Sequence, residues 1–144
     1  MKADAKTEAE VMTIVNQFVE SFTKKEINNN LALYASDDDV VLIGTGIDEK
    51  CVGLAAIRGE AERAFKQSDE QSIRLGWHLV SAAGSVAWVA SDGAVRAKVK
   101  GQETSFSVRL TFVLEQREGR WQIMQVHGSL PAAGQKEGES WPTG

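Results

Sequence analysis

The stretch TSFSVRLTFVLEQREGRWQIMQVHGSLP, Thr104 to Pro131, alternates apolar and polar residues on both sides of a Glu118-Gly119 pair and stops at a proline. Alternation with a period of two marks half-buried strands, and a glycine-containing break between two such runs marks a hairpin. Working upstream, SVAWVASDGAVRAKV and SIRLGWHLVSA have the same Val, Ile, Trp and Thr-rich character, with breaks at Gly101 and at Ala83-Gly84. The four runs are predicted to form an antiparallel meander.

Further upstream the period changes. Val11, Ile14, Val15, Phe18, Val19 and Phe22 recur at helical spacing, Thr7 with Glu10 has the form of a capping box, and Lys24 and Lys25 fall where a helix C-terminus favours cations. A shorter helix is expected from Ile27 to Tyr34, broken by the acidic run Asp37 to Asp39. VVLIGTG reads as a buried strand, Val40 to Ile43, and Leu54, Ile57, Ala61, Ala64 and Phe65 restore the helical period in a third helix. Helices first and long strands after is the pattern of an α+β domain with helices gathered on one face of a curved sheet. The domain is expected to run over 1–131, with a polar, glycine-rich tail over 132–144.

Composition narrows the function classes. At 42% hydrophobic and 25% charged residues the chain has ordinary globular composition, and no apolar run approaches the length of a membrane span. The N-terminus lacks the apolar core of a secretory signal, so a cytoplasmic location is expected. A net charge of −4 with interspersed signs argues against nucleic acid as a partner. One cysteine, Cys51, and two distant histidines offer no disulfide or zinc spacing, and no cofactor motif is present. The expectation is no metal and no cofactor.

Three stretches, DVVLIGTGIDEKCVGLAAIRGEAERAF, RLTFVLEQREGRW and WQIMQVHGSLP, resemble the SnoaL-like group of the nuclear transport factor 2-like superfamily, and the likeness covers almost the whole chain. The last stretch is also similar to the closing strand of the association domain of calcium/calmodulin-dependent kinases. The resemblance implies a cone-shaped fold in which three helices cover a bent sheet, with a pocket at the open end and homodimers formed through the outer sheet face. It implies little about the reaction, because function belongs to sites and not to folds. Ketosteroid isomerases of this superfamily use a carboxylate base, a tyrosine and a protonated acid. In this chain those positions align with Ile43, Phe18 and Thr111, so that constellation is disfavoured.

Strand alternation groups the remaining candidates. Leu75, Trp77 and Leu79 share a face with Trp88, Ala90 and Asp92; Arg109, Thr111 and Val113 share one with Met124, Val126 and Gly128. The resemblance places Trp77, Trp88, Asp92, Arg109, Thr111 and Met124, with Phe18, around the ligand. Burial alone would instead turn Phe106, Val108, Leu110, Phe112 and Leu114 inward; a dimer through the outer face would cover both sides. His127 falls outside, beside Trp121, Ile123 and Gln125, as a packing or interface histidine before a catalytic one, and His78 shares that reading. Cys51 sits in a loop before a helix with no chemistry assigned to it. Arg109 and Asp92 either form a structural ion pair, or Arg109 grips an anionic ligand, or Asp92 alone acts as general base. Three readings are therefore open: a homodimeric pocket protein for a small organic, in one case anionic, molecule; an isomerase, dehydratase or cyclase acting through Asp92 or His127; or an oligomeric assembly module. In the last case the pocket arginine of the kinase hubs aligns with Gly128, which weakens the transfer of their ligand chemistry but not of assembly.

Overall fold

The computed structural model describes all 144 residues, Met1–Gly144. Helices α1 (Ala5–Thr23) and α2 (Ile27–Leu31) precede a short hairpin, β1 (Val41–Ile43) and β2 (Lys50–Val52), and then α3 (Leu54–Gln67). Four long strands follow: β3 (Glu70–Ala83), β4 (Val86–Val99), β5 (Gln102–Arg117) and β6 (Arg120–Ser129). They form the expected antiparallel meander, and β1 adds in parallel to β6, giving one six-stranded sheet in the order β2-β1-β6-β5-β4-β3. No helix or strand lies beyond Ser129, and no helix is long and apolar enough to cross a membrane.

The cap of α1 differs from the sequence expectation. Asp4 is the N-cap, its carboxylate accepting the Thr7 backbone N–H at 2.8 Å, so the helix begins one turn before the Thr7–Glu10 pair. Glu10 is used elsewhere: its carboxylate accepts the Trp121 indole N–H at 3.1 Å and ties α1 to β6. Helix α2 also stops earlier than Tyr34, and the segment after it runs along β6, where Ile123 donates to the Leu33 carbonyl at 2.8 Å and accepts from the Ala35 N–H at 2.9 Å. Lys25 takes a positive φ of 57° just after α1 and sends its ammonium to the carbonyls of Phe65, Ser68 and Asp69. A cation on the free carbonyls at the end of α3 is favoured by the helix dipole. The lysine read as completing α1 thus completes α3.

The core lies between α1 and the sheet face carrying Val80, Val89, Val108, Leu110, Phe112 and Leu114. Phe112 is fully buried and meets Phe18 edge to face, with ring centroids 5.3 Å apart. Burying a side chain of that size contributes about 1.5–3 kcal/mol, and the aromatic contact adds about 0.5–1.5. The apolar alternate of β5 therefore faces the chain's own helices. This corrects the inward placement of Trp77, Trp88, Asp92, Arg109 and Thr111, all of which are exposed on the reverse face.

Two bulges account for the alternation that misled. On β6 Leu114 faces Ile123 and Val113 faces Gln125, leaving Met124 as an extra residue. Trp121 and Ile123 before it, and Val126 and Gly128 after it, can then all turn inward, while Gln125 and His127 turn out. The β3–β4 register shifts between Leu75 and His78, where the Asp92 carboxylate accepts the Trp77 N–H at 2.9 Å. Glycine is needed at 93, where a Cβ would lie 2.7 Å from the Arg74 carbonyl oxygen, and a Cβ on Gly76 would lie 2.6 Å from Asp92 Oδ1 and displace that carboxylate.

Candidate functional site

Between the helices and the inner sheet face lies a cavity of about 200 Å³. Fifteen of its twenty-one lining residues are hydrophobic, among them Phe18, Phe22, Ile57, Phe65, Val95, Phe106 and Leu110. Its polar side chains are few, Asn30, Thr45, Glu49 and Glu60, to which Tyr34, one of the fifteen, adds a hydroxyl. A mostly apolar hollow with a small number of convergent polar groups is the usual form of a small-molecule site.

Tyr34 is fixed from both sides by the backbone bonds that Leu33 and Ala35 make with Ile123, and its ring stands edge-on to Phe18 at 6.3 Å. Its residue is 4% exposed, and its hydroxyl is the one buried side-chain polar atom without a hydrogen-bond partner. Burial, with smaller effects from Glu60 and Cys51, pushes the phenol well above its ordinary range, so it is a donor and stays protonated. Asn30, by contrast, is satisfied: its amide donates to Ser21 Oγ at 3.0 Å.

Glu60 and Glu49 form the polar wall. Glu49 closes the β1–β2 hairpin, its Oε2 accepting the Gly46 N–H at 2.8 Å, and a side chain at Gly46 would approach its carboxyl carbon to 2.8 Å. Arg63 holds Asp48 through two bonds of 2.7 and 3.2 Å and reaches Glu49 at 3.6 Å. Glu60 makes no ion pair within 4 Å. Partly buried and lining the same wall as Glu49, it is pushed up to about 7, first by burial and then by the Glu49 charge. Cys51 lies in β2 and not in a loop; it is buried in the core, and burial pushes its thiol up, away from nucleophilic character.

Of the residues singled out from sequence, Phe18, Ile43 and Gly128 line the cavity. Met124 is the bulged residue of β6, packed at the core's margin. Asp92 and Arg109 are register partners on the outer face but form no ion pair: Asp92 braces the β3 bulge, and Arg109 donates to Ser129 Oγ at 3.3 Å and to the Leu130 carbonyl at 3.1 Å. Thr111 faces out, so the aligned donor position of the isomerases is not in the cavity at all. His127 is exposed on the outer face, and His78 lies 3.9 Å from Glu8 of α1. The sequence reading missed Tyr34, Glu49 and Glu60. For Glu60 a signal existed: it follows Ile57 by three and precedes Ala64 by four, an acid on the apolar stripe of α3.

The SnoaL-like domain model matches residues 11–133, most of the chain. The chain belongs to the SnoaL-like family. Solved structures of the same shape include a nuclear transport factor 2-like superfamily protein from Salmonella enterica (TM-score 0.83, 19% identity, covering 96% of this chain and 100% of that one). Another is a provisionally assigned dehydratase of the same family from Streptomyces avermitilis (0.83, 15%, covering 90% and 100%). A third, from Xanthomonas campestris, is provisionally assigned as a calcium/calmodulin-dependent protein kinase II association domain (0.77, 22%, covering 92% and 95%). At these identities the likeness gives the SnoaL-like domain its fold alone. No curated protein matches its sequence.

Proposed function

We propose that this SnoaL-like domain is a homodimeric binding protein for a small neutral organic molecule, held in the cavity with an acceptor atom on the Tyr34 hydroxyl. The carrying observation is that hydroxyl, buried without a partner in an otherwise apolar hollow. An unsatisfied buried donor costs about 1–3 kcal/mol, which a ligand carbonyl or ether oxygen would relieve. Size agrees: an apolar cavity of about 150 Å³ accepts benzene, so the hollow of about 200 Å³ suits one substituted ring. Charge favours a neutral ligand over an anion, since Glu49 and Glu60 are on the wall and Arg109 is outside.

Calorimetric titration tests this with acetophenone, toluene and benzoate. Acetophenone should bind, Tyr34→Phe should weaken it by up to about tenfold while leaving toluene unchanged, and benzoate should not bind. Binding of benzoate in place of acetophenone would sink the reading.

Dimerisation rests on the outer face, where Trp77 and Leu79 of β3 and Trp88 of β4, the partner of Ser81, are 59%, 44% and 38% exposed. Aromatic patches of this kind on a sheet face favour a self-complementary partner. Sedimentation should give a dimer that Trp88→Asp converts to a folded monomer. A wild-type monomer at micromolar concentration would remove this part of the proposal.

A second reading, an enzyme of the isomerase, dehydratase or cyclase kind, is favoured by Glu60, which lines the same cavity and titrates near neutrality as a general acid-base group must. Turnover of any substrate surviving unchanged in Glu60→Gln would count against it.

A further inference from the structure

The two carboxyls of the wall are not equivalent, and the difference lies in their partners. Glu49 accepts the Gly46 N–H at 2.8 Å and lies 3.6 Å from Arg63. Arg63 is itself committed to Asp48 through both of its terminal nitrogens. No cation lies within 4 Å of Glu60, which lines the apolar cavity together with Glu49 and the unpartnered Tyr34 hydroxyl. A carboxyl so placed lowers its energy by keeping its proton, because two adjacent carboxylates cannot both ionise cheaply out of water.

We infer that Glu60 binds ligand as a neutral acid, so that filling the cavity takes up a proton and selects a neutral molecule with two acceptor atoms, one for Tyr34 and one for Glu60. This rests on the binding function proposed above and deepens it. The proton comes from solvent and stays on Glu60 while the ligand is held; no bond in the ligand breaks. On balance the charged groups around Glu60 favour this direction. Glu49 and Asp48 of the β1–β2 loop disfavour its ionisation, Arg63 one turn along α3 opposes them but is spent on Asp48, and Tyr34 and the Cys51 thiol remain uncharged.

The probe is 4-methoxyacetophenone, whose carbonyl and ether oxygens sit at opposite ends of one ring. Its Kd should be flat below about pH 6 and rise close to tenfold per pH unit above about pH 8, since only the protonated site binds. Calorimetry at pH 8 in buffers of different ionisation enthalpy should return close to one proton taken up per ligand. Glu60→Gln, which keeps a donor but cannot ionise, should bind within about threefold of wild type at pH 6 and show no slope. Tyr34→Phe should weaken binding at every pH and keep the slope. A wild-type Kd equal at pH 6 and 9, or tightening as pH rises, would overturn proton coupling while leaving the pocket assignment in place. Failure of the probe to bind at any pH would overturn both.

Discussion

Replacing Tyr34 by Phe should make the ligand-free protein more stable. The substitution removes one oxygen and nothing else from a ring already packed against Phe18, and that oxygen is buried with no partner. Leaving a buried hydroxyl unsatisfied costs about 1–3 kcal/mol, and truncating it to a hydrogen opens no cavity comparable to losing a methyl. A net gain of about 1–2 kcal/mol is expected. For 144 residues the unfolding entropy is about 0.3 kcal/mol per degree, so Tm should rise by about 3–7 °C. Thermal unfolding followed by circular dichroism, at one protein concentration and without ligand, reads this directly. A Tm equal to or below that of wild type would mean that the hydroxyl already has a partner, and the argument for a donor waiting on a ligand would fail with it.

Phe112→Ala should cost about 3–5 kcal/mol in urea unfolding with an unchanged m-value, because a fully buried ring is lost from beneath α1; a cost below about 1 kcal/mol would put that face of β5 outside the core. Glu60 holds its proton up to about pH 7 when folded but only to about 4.5 when unfolded, so it lowers stability progressively as pH rises through that window and leaves it lowered above. Glu60→Gln should therefore gain on wild type between those pH values, by roughly 1–2 kcal/mol once solvent screening of a partly exposed group is allowed for, and a constant gap across the window would refute the assignment. Lys25→Met should cost about 1–2 kcal/mol by freeing the carbonyls at the end of α3, with hydrogen exchange accelerated in the last turn of that helix and not in α1.

The order of helices and strands, the meander and its turns were legible because each rests on local periodicity: the helical spacing of Val11 to Phe22 and the alternation of β5 both survive in the structure. The face of the sheet was not. Parity is carried from strand to strand only if every residue is paired, and the extra residue at Met124 and the irregularity at Gly76 and Trp77 each reset it. The apolar count on Phe106 to Leu114 pointed to the correct face and was outweighed by the resemblance. Tyr34 escaped notice because its position depends on Ile123, nearly ninety residues away, and β2 because three residues carry no period. Without a period to mark the strand, Cys51 looks like a loop residue.

The inserted Met124 does more than reset alternation. A bulge bends its strand and sharpens the local twist, and this one lies in the middle strands of the sheet, where Ile123 also anchors the segment bearing Tyr34. A chain shortened by that single residue would keep Ile123 and Val126 pointing as they do now, yet its sheet would lie flatter beneath the helices. The hollow is thus a matter of curvature before it is a matter of which side chains surround it.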